Sequence, residues 1–188
     1  EGNMFAVRVD GQIGYISSNY CMINLPEYIG GLCSYDITNS LFEQSMENSE
    51  FKYNHIFFSD NVVYTAATSN KVGAAMTKVA LSSNGRFPAI ENYKEERVNL
   101  TGYSANCVDR IGDELVTISG YSNGGINKFG LNDNTNQEKK SINENTDNFQ
   151  GKYIYYNKEN GKVVTLNNTD RGIVTIYNAQ MVEEASFE

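Results

Sequence analysis

The chain has 188 residues, a formal net charge of −8, and 40% hydrophobic and 12% aromatic residues, with 13 Tyr, 9 Phe and no Trp. The acidic balance excludes nucleic acid as the principal ligand, because phosphate contacts need clustered Lys and Arg, and the only compact basic spot is Lys139-Lys140 in a polar loop. No stretch approaches the roughly 20 apolar residues of a membrane span, so membrane insertion is not expected, and Glu1 to Met4 is not a signal peptide.

A chain of this length buries roughly 70% of the surface its unfolded form exposes, enough for one sizeable core. Strand-forming residues are abundant. Only Pro26 and Pro88 are prolines, so the turns are made mainly by Asn and Gly.

In chain order, residues 4–9 read as a strand, Asp10-Gly11 as a tight turn and 12–17 as the returning strand. A longer insert, 18–31, leads to a third strand over 32–37 and a fourth over 41–46. The programme then restarts. Residues 55–59 are apolar, Asp60-Asn61 turns, 62–67 returns, 68–73 is a loop, 74–81 is the third run, and 89–97 supplies a polar outer strand or a loop. Ala74, Ala75, Met76 and Ala80 tolerate a helix, but eight residues without a cap argue for a strand. In the third segment 105–111 precedes Gly112-Asp113, 114–119 returns, 120–125 is a Gly-rich loop and 125–131 is the third run. The tract 132–148 is the most polar in the chain and is expected to hold a short outer strand within mobile connections. The fourth segment has 151–156, a turn at Asn160-Gly161, a hairpin of 162–166 and 173–177 around the loop 167–172, and an outer strand over 181–187.

The tight turns at Asp10, Asp60, Gly112 and Asn160 are separated by 50, 52 and 48 residues. The third strands end in YDI at Tyr35, VAL at Val79, FGL at Phe129 and YNA at Tyr177, separated by 44, 50 and 48. Both markers give a period near 48, and four short strands per unit of about 40 to 50 residues is the signature of propeller blades. Across essentially all 188 residues the chain resembles the β-propeller superfamily, and endings such as IGGLCSYDIT and GGINKFGLND look most like kelch or quinoprotein-type blades. It departs from them in having no Trp for a WD dipeptide or kelch Trp, no double Gly ending the second strand, and no Ser-x-Asp-x-Gly-x-Thr-Trp box. The resemblance implies an all-β fold of about four four-stranded antiparallel blades, near 1–50, 51–101, 102–148 and 149–188, forming a segment of a larger propeller. A closed four-bladed ring is the alternative. No activity comes with the resemblance.

If each blade runs from inner to outer strand, the four loops between second and third strands share one face. They hold Tyr20, Tyr28, Asn70, Lys71, Tyr121, Asn123, Asp170 and Arg171. Tyr20, Tyr28, Tyr121, Asn123, Asp170 and Arg171 are the candidate ligand-binding residues, because tyrosines offer rigid contact area with a polar tip. The sole histidine, His55, has no nucleophile or acid nominated beside it, and a single His supplies no metal cluster. Asp109-Arg110 and Asp170-Arg171 face opposite sides of their strands and read as ties between blades. The loop 132–136 lacks the turn glycine of a calcium loop, and YSNGG lacks the Lys-Ser/Thr of a phosphate loop.

No catalytic set, cofactor or metal site is therefore expected. The expectation is a non-enzymatic module recognising a protein or glycan through one loop face. A carbohydrate hydrolase or lyase working in a central channel, and a structural scaffold in a larger assembly, are the alternatives. Further blades from a longer chain or a partner are a possible complement. Cys21, Cys33 and Cys107 allow either a Cys21–Cys33 disulfide or reduced, buried thiols. Sequons at Asn99 and Asn167 matter only in a secreted setting. The compartment stays open, with an extracellular or cell-surface setting marginally ahead of the cytoplasm.

Overall fold

The structure, a computed structural model, describes residues 4–9, 13–18, 30–36, 41–48, 50–83, 87–121, 123–130, 149–167 and 172–188. Their strands form antiparallel sheets in which each strand pairs with the next along the chain. The first sheet is β1 (Met4–Val9), β2 (Ile13–Ser18), β3 (Gly30–Asp36) and β4 (Leu41–Asn48). The second is β5 (Phe51–Ser59), β6 (Val62–Ser69), β7 (Gly73–Ala80) and β8 (Glu96–Asn99). The third holds β9 (Ser104–Ile111), β10 (Glu114–Gly120) and β11 (Ile126–Gly130). The fourth is β12 (Gly151–Asn157), β13 (Lys162–Asn167), β14 (Ile173–Asn178) and β15 (Glu183–Phe187). The outer strand expected within 132–148 and the turn at Asp10-Gly11 lie outside the described residues.

Turn chemistry explains the hairpins. Asp60 and Asn61 both take positive φ, 51° and 61°, between the paired residues Ser59 and Val62; this is the type I′ geometry that matches strand twist and that Asn and Asp tolerate. Gly112 alone is positive, at 60°, between Ile111 and Glu114. The turn expected at Asn160-Gly161 is wider: Asn157 pairs with Lys162, and the Gly161 N–H donates to the Asn157 carbonyl across four residues at 2.9 Å. Residues 74–80 are a strand, with Ala74, Ala75 and Met76 buried between sheets, where small side chains let the sheets approach. The β6 and β7 ladder reaches Ser69 and Gly73, shortening the expected loop to 70–72. The last outer strand starts at Glu183 rather than 181, because the Asn178 side chain accepts from the Gln180 and Val182 N–H groups and holds that connection as a turn.

Three apolar layers join the four sheets. Leu32 of the first sheet packs with Phe51, Tyr53, Ile56 and Val79 of the second. Tyr64, Ala66 and Met76 pack with Val108 and Leu115 of the third. Cys107, Ile118 and Ile126 pack with Ile154, Val163 and Tyr177 of the fourth. Substantial inter-sheet packing among the described strands joins only sheets consecutive in the chain: β5 meets the first sheet, β9 the second and β12 the third. The first strand of each sheet is thus the one that meets its predecessor, and the arrangement is a fan of stacked sheets.

One irregularity recurs in this fan. The register slips by one residue at Asn54 in β5, at Asn106 in β9 and at Lys152 in β12. Each bulge re-aims the extra side chain. Asn54 Nδ2 donates to the Ala105 carbonyl of the next sheet at 2.7 Å, and Asn106 Nδ2 donates to the Gly151 carbonyl of the sheet after that at 2.6 Å. Ala105 and Gly151 are equivalent positions, each just before a bulge. Ser104 Oγ joins the two amides, lying 3.2 Å from Asn54 Nδ2 and donating to Asn106 Oδ1 at 2.9 Å. A polar thread therefore crosses three sheets. The expected start of the second segment at His55 falls short of Phe51 because the Asn54 bulge interrupts the alternation on which that expectation rests.

His55 sits in the seam between the second and third sheets, where its Nδ1 accepts the Val108 N–H at 3.4 Å. Burial holds its pKa below the ordinary 6.5. The folded state keeps the ring neutral, so below pH 6.5 the unfolded chain binds the proton first and stability falls with acidification. His55→Phe is expected to flatten the pH dependence of Tm on the acid side of pH 6.5, read by circular dichroism. An unchanged slope would remove His55 as a contributor. Cys107 is a free, buried thiol whose pKa burial pushes up to about 12, the inert state expected of a packing cysteine.

Candidate functional site

The described second-to-third-strand connections, 70–72 and the described residues of 120–125, lie at the sheet ends where the inner strands begin, and backbone bonds tie them to those starts. Asn70 N–H donates to the Glu50 carbonyl at 3.1 Å, Tyr103 N–H to the carbonyls of Gly120 and Tyr121 at 3.1 and 3.2 Å, and Tyr121 N–H to the Phe149 carbonyl at 3.1 Å. With the Ala74 N–H donating to the Gly102 carbonyl at 3.1 Å, these bonds place this end of the second and third sheets and the start of the fourth on one connected surface.

Tyr121 and Asn123 are its most unusual members. Both hold left-handed backbone, with φ of 62° and 69°, uncommon for residues with side chains and sustained only where the surroundings over-determine it. The surroundings here are the tight closure at Gly124, where a Cβ would fall 2.7 Å from the Ser119 carbonyl oxygen. The Tyr121 ring is 44% exposed, and Lys152 Nζ lies 5.2 Å from its centroid, a cation–π contact. Tyr103, 60% exposed, is bonded to Tyr121 through the backbone. Two exposed tyrosines, a lysine and an asparagine thus share one surface.

Of the six sequence-predicted residues, Tyr121 and Asn123 are brought together in the β10–β11 connection. Tyr20, Tyr28, Asp170 and Arg171 lie outside the described residues. Lys71 pairs with Glu50 at 2.8 Å, and Arg97 pairs with the same carboxylate. The Lys71 hydrogen bond is the largest cause holding the Glu50 pKa below its ordinary value, so Lys71 anchors its own loop. Sequence reasoning missed Tyr103 and Lys152, which lie just before β9 and at the β12 bulge; comparison of inner-strand starts across the repeats would have raised them.

The inner strands also line two adjoining hollows at the opposite end, of about 490 and 580 Å³, which share Phe57, Tyr156 and Lys158. Asp109 borders the first of them together with Tyr155 and Glu159. Burial raises the Asp109 pKa, and its two oxygens accept N–H bonds from Arg110 at 2.7 Å and Tyr156 at 2.6 Å. Arg110 turns the other way, to Ser59 and Asp60 of the second sheet. Asp109 and Arg110 therefore fasten the third sheet to the fourth and the second respectively, as their opposite facing on the strand requires. Among the described residues no group of three or more His, Cys, Asp or Glu is placed to hold a metal.

No protein-family model matches the chain, and no curated protein aligns with it in sequence. Solved structures do match in fold. A Bacteroides fragilis protein assigned as a 6-phosphogluconolactonase superposes with a TM-score of 0.63 at 14% identity, covering 96% of this chain and 55% of its own. The dihydro-heme d1 dehydrogenase NirN gives 0.62 at 10%, covering 98% and 37%, and a prolyl endopeptidase 0.58 at 10%, covering 99% and 27%. These are β-propeller folds, and the chain is an all-β propeller segment spanning about half of the first of them and less of the others. Likeness at such identity concerns the fold alone, and the three proteins' different names show how little this fold restricts chemistry. The kelch and quinoprotein resemblances gain no support from the family models.

Proposed function

We propose that the chain is a non-enzymatic interaction module that recognises a protein or a glycan through its loop face. The observation that supports this reading is the exposed Tyr121, held in left-handed backbone and flanked by Tyr103, Asn123 and Lys152. Rigid aromatic surface beside amide and cationic groups suits a sugar ring or an acidic, hydroxyl-rich peptide, because stacking area and polar tips come at little entropic cost. Tyr20, Tyr28, Asp170 and Arg171 would extend the same surface. A channel enzyme is not preferred, because Asp109 spends both oxygens on backbone N–H groups.

The test is a glycan and peptide array followed by titration of the strongest hit. Tyr121→Ala and Tyr103→Ala are each expected to weaken binding about tenfold or more, the loss of one anchor residue, with Tm unchanged. Unaltered binding in both variants would move the site elsewhere. Turnover on a glycan panel, lost on substituting one channel carboxylate, would replace the reading with the enzymatic one.

A further inference from the structure

Two Asn-Gly pairs fall among the described residues, Asn123-Gly124 and Asn160-Gly161, and the fold treats them oppositely. Glycine places no side chain beside its own nitrogen and rotates freely, so in such a pair that nitrogen can reach the amide carbon of the preceding asparagine. Asn160 and Gly161 occupy the turn between β12 and β13. Lys158, Glu159 and Asn160 are exposed, and a Cβ built on Gly161 would meet nothing within 4 Å. Asn160 Oδ1 accepts the Lys162 N–H at 3.0 Å. That bond folds the side chain back along the main chain and draws electron density from Cγ, which makes the carbon a better electrophile. The Gly161 N–H donates to the Asn157 carbonyl at 2.9 Å, inside a run of exposed turn residues of the kind that opens locally at low cost.

Asn123 is exposed as well, but Gly124 is buried. A Cβ there would fall 2.7 Å from the Ser119 carbonyl oxygen and 2.8 Å from Gly120 Cα. Ring closure needs the peptide between Asn123 and Gly124 to rotate, and the Ser119 and Gly120 main chain leaves no room for it.

We propose that Asn160 is a site of spontaneous deamidation in the folded protein. The Gly161 nitrogen attacks Asn160 Cγ; its proton leaves through solvent and returns on the departing nitrogen. The N–Cγ bond forms as the Cγ–Nδ2 bond breaks, ammonia is released, and a five-membered succinimide remains. A water molecule then opens the ring at either carbonyl, giving aspartate or isoaspartate with no change of oxidation state. Either product adds a negative charge beside Glu159, which borders the hollow of Asp109 together with Lys158. Isoaspartate also adds a carbon to the main chain inside a turn whose ends, Asn157 and Lys162, are paired. The chain thereby carries a mark of its age at one defined turn, whatever its loop face recognises.

The folded chain is incubated at mildly alkaline pH, sampled over days, digested under mildly acidic conditions and read by mass spectrometry, with isoaspartate scored by enzymatic methylation. Asn160 is expected to convert about tenfold or more faster than Asn123, the difference between an open turn and a protected one. In urea, where both pairs are unfolded, the two rates should converge. Equal rates in the folded chain, faster conversion at Asn123, or an Asn160 that converts only in urea would each overturn the proposal. Gly161→Ala, with its fold checked by circular dichroism, should slow conversion at Asn160 because the methyl group crowds the attacking nitrogen. An undiminished rate in that variant would remove Gly161 as the nucleophile; if the variant does not fold, the comparison of the two sites in the wild type decides.

Discussion

Gly151→Val is expected to destabilise the chain by about 3 kcal/mol or more, the upper range for forcing volume into a packed core. A Cβ on Gly151 would fall 2.7 Å from the Phe149 ring and closer still to Ile118. Both neighbours lie in the layer between the third and fourth sheets. β12 would have to back away, and the Gly151 carbonyl would move with it from Asn106. Urea unfolding followed by far-UV circular dichroism should show a lower midpoint for Gly151→Ala and an early or absent transition for Gly151→Val. Ile118→Val should partly relieve Gly151→Ala in a double-mutant cycle, since the clash is with that side chain. Strict additivity of the two changes would show that the obstruction lies elsewhere.

Asn106→Ala is the second large effect, expected at about 2 kcal/mol because it leaves the Gly151 carbonyl without its donor at a seam where water has little access. Asn54→Ala should cost at least as much, since Asn54 Nδ2 serves Thr68, Ser104 and the Ala105 carbonyl. The two variants should differ in character. In a stack whose units touch only their neighbours, weakening one seam separates the parts on either side. Asn106→Ala is therefore expected to let the fourth sheet unfold first, broadening the transition and lowering the apparent m-value. Hydrogen exchange would show β13 and β14 opening below the global free energy while β6 and β7 keep theirs. Uniform loss of protection across all sheets would mean the seam is not where cooperativity is carried.

The strands and hairpins were legible because their causes are local. Alternation of apolar and polar residues, and Asp-Asn or Gly-Asp between two such runs, act over a few residues. The bulges were not legible, because the reason for Asn54 or Asn106 to leave the ladder is a carbonyl on another sheet, about 50 residues further along. A sequence signal was nonetheless present. Asn54 and Asn106 are 52 residues apart, and Thr65, Thr117 and Thr165 recur at 52 and 48. Those threonines pair across the strands with Thr77, Asn127 and Thr175, and all six are buried. Polar residues at the same place in each repeat were a finer ruler than the turns. The loop face was legible as a class of loops. Its partners Tyr103 and Lys152 come from the following strand, which only the stacking of sheets brings near.

The amide thread has a consequence for how such a chain can grow. Asn54 and Asn106 each point forward, a donor on one sheet meeting a carbonyl on the next, so the third sheet carries both an eye, at Ala105, and a hook, at Asn106. Tandem duplication of the third unit, about 50 residues in frame, preserves the hooks and eyes already present and adds one more of each. A gene built this way lengthens in whole units and in one direction.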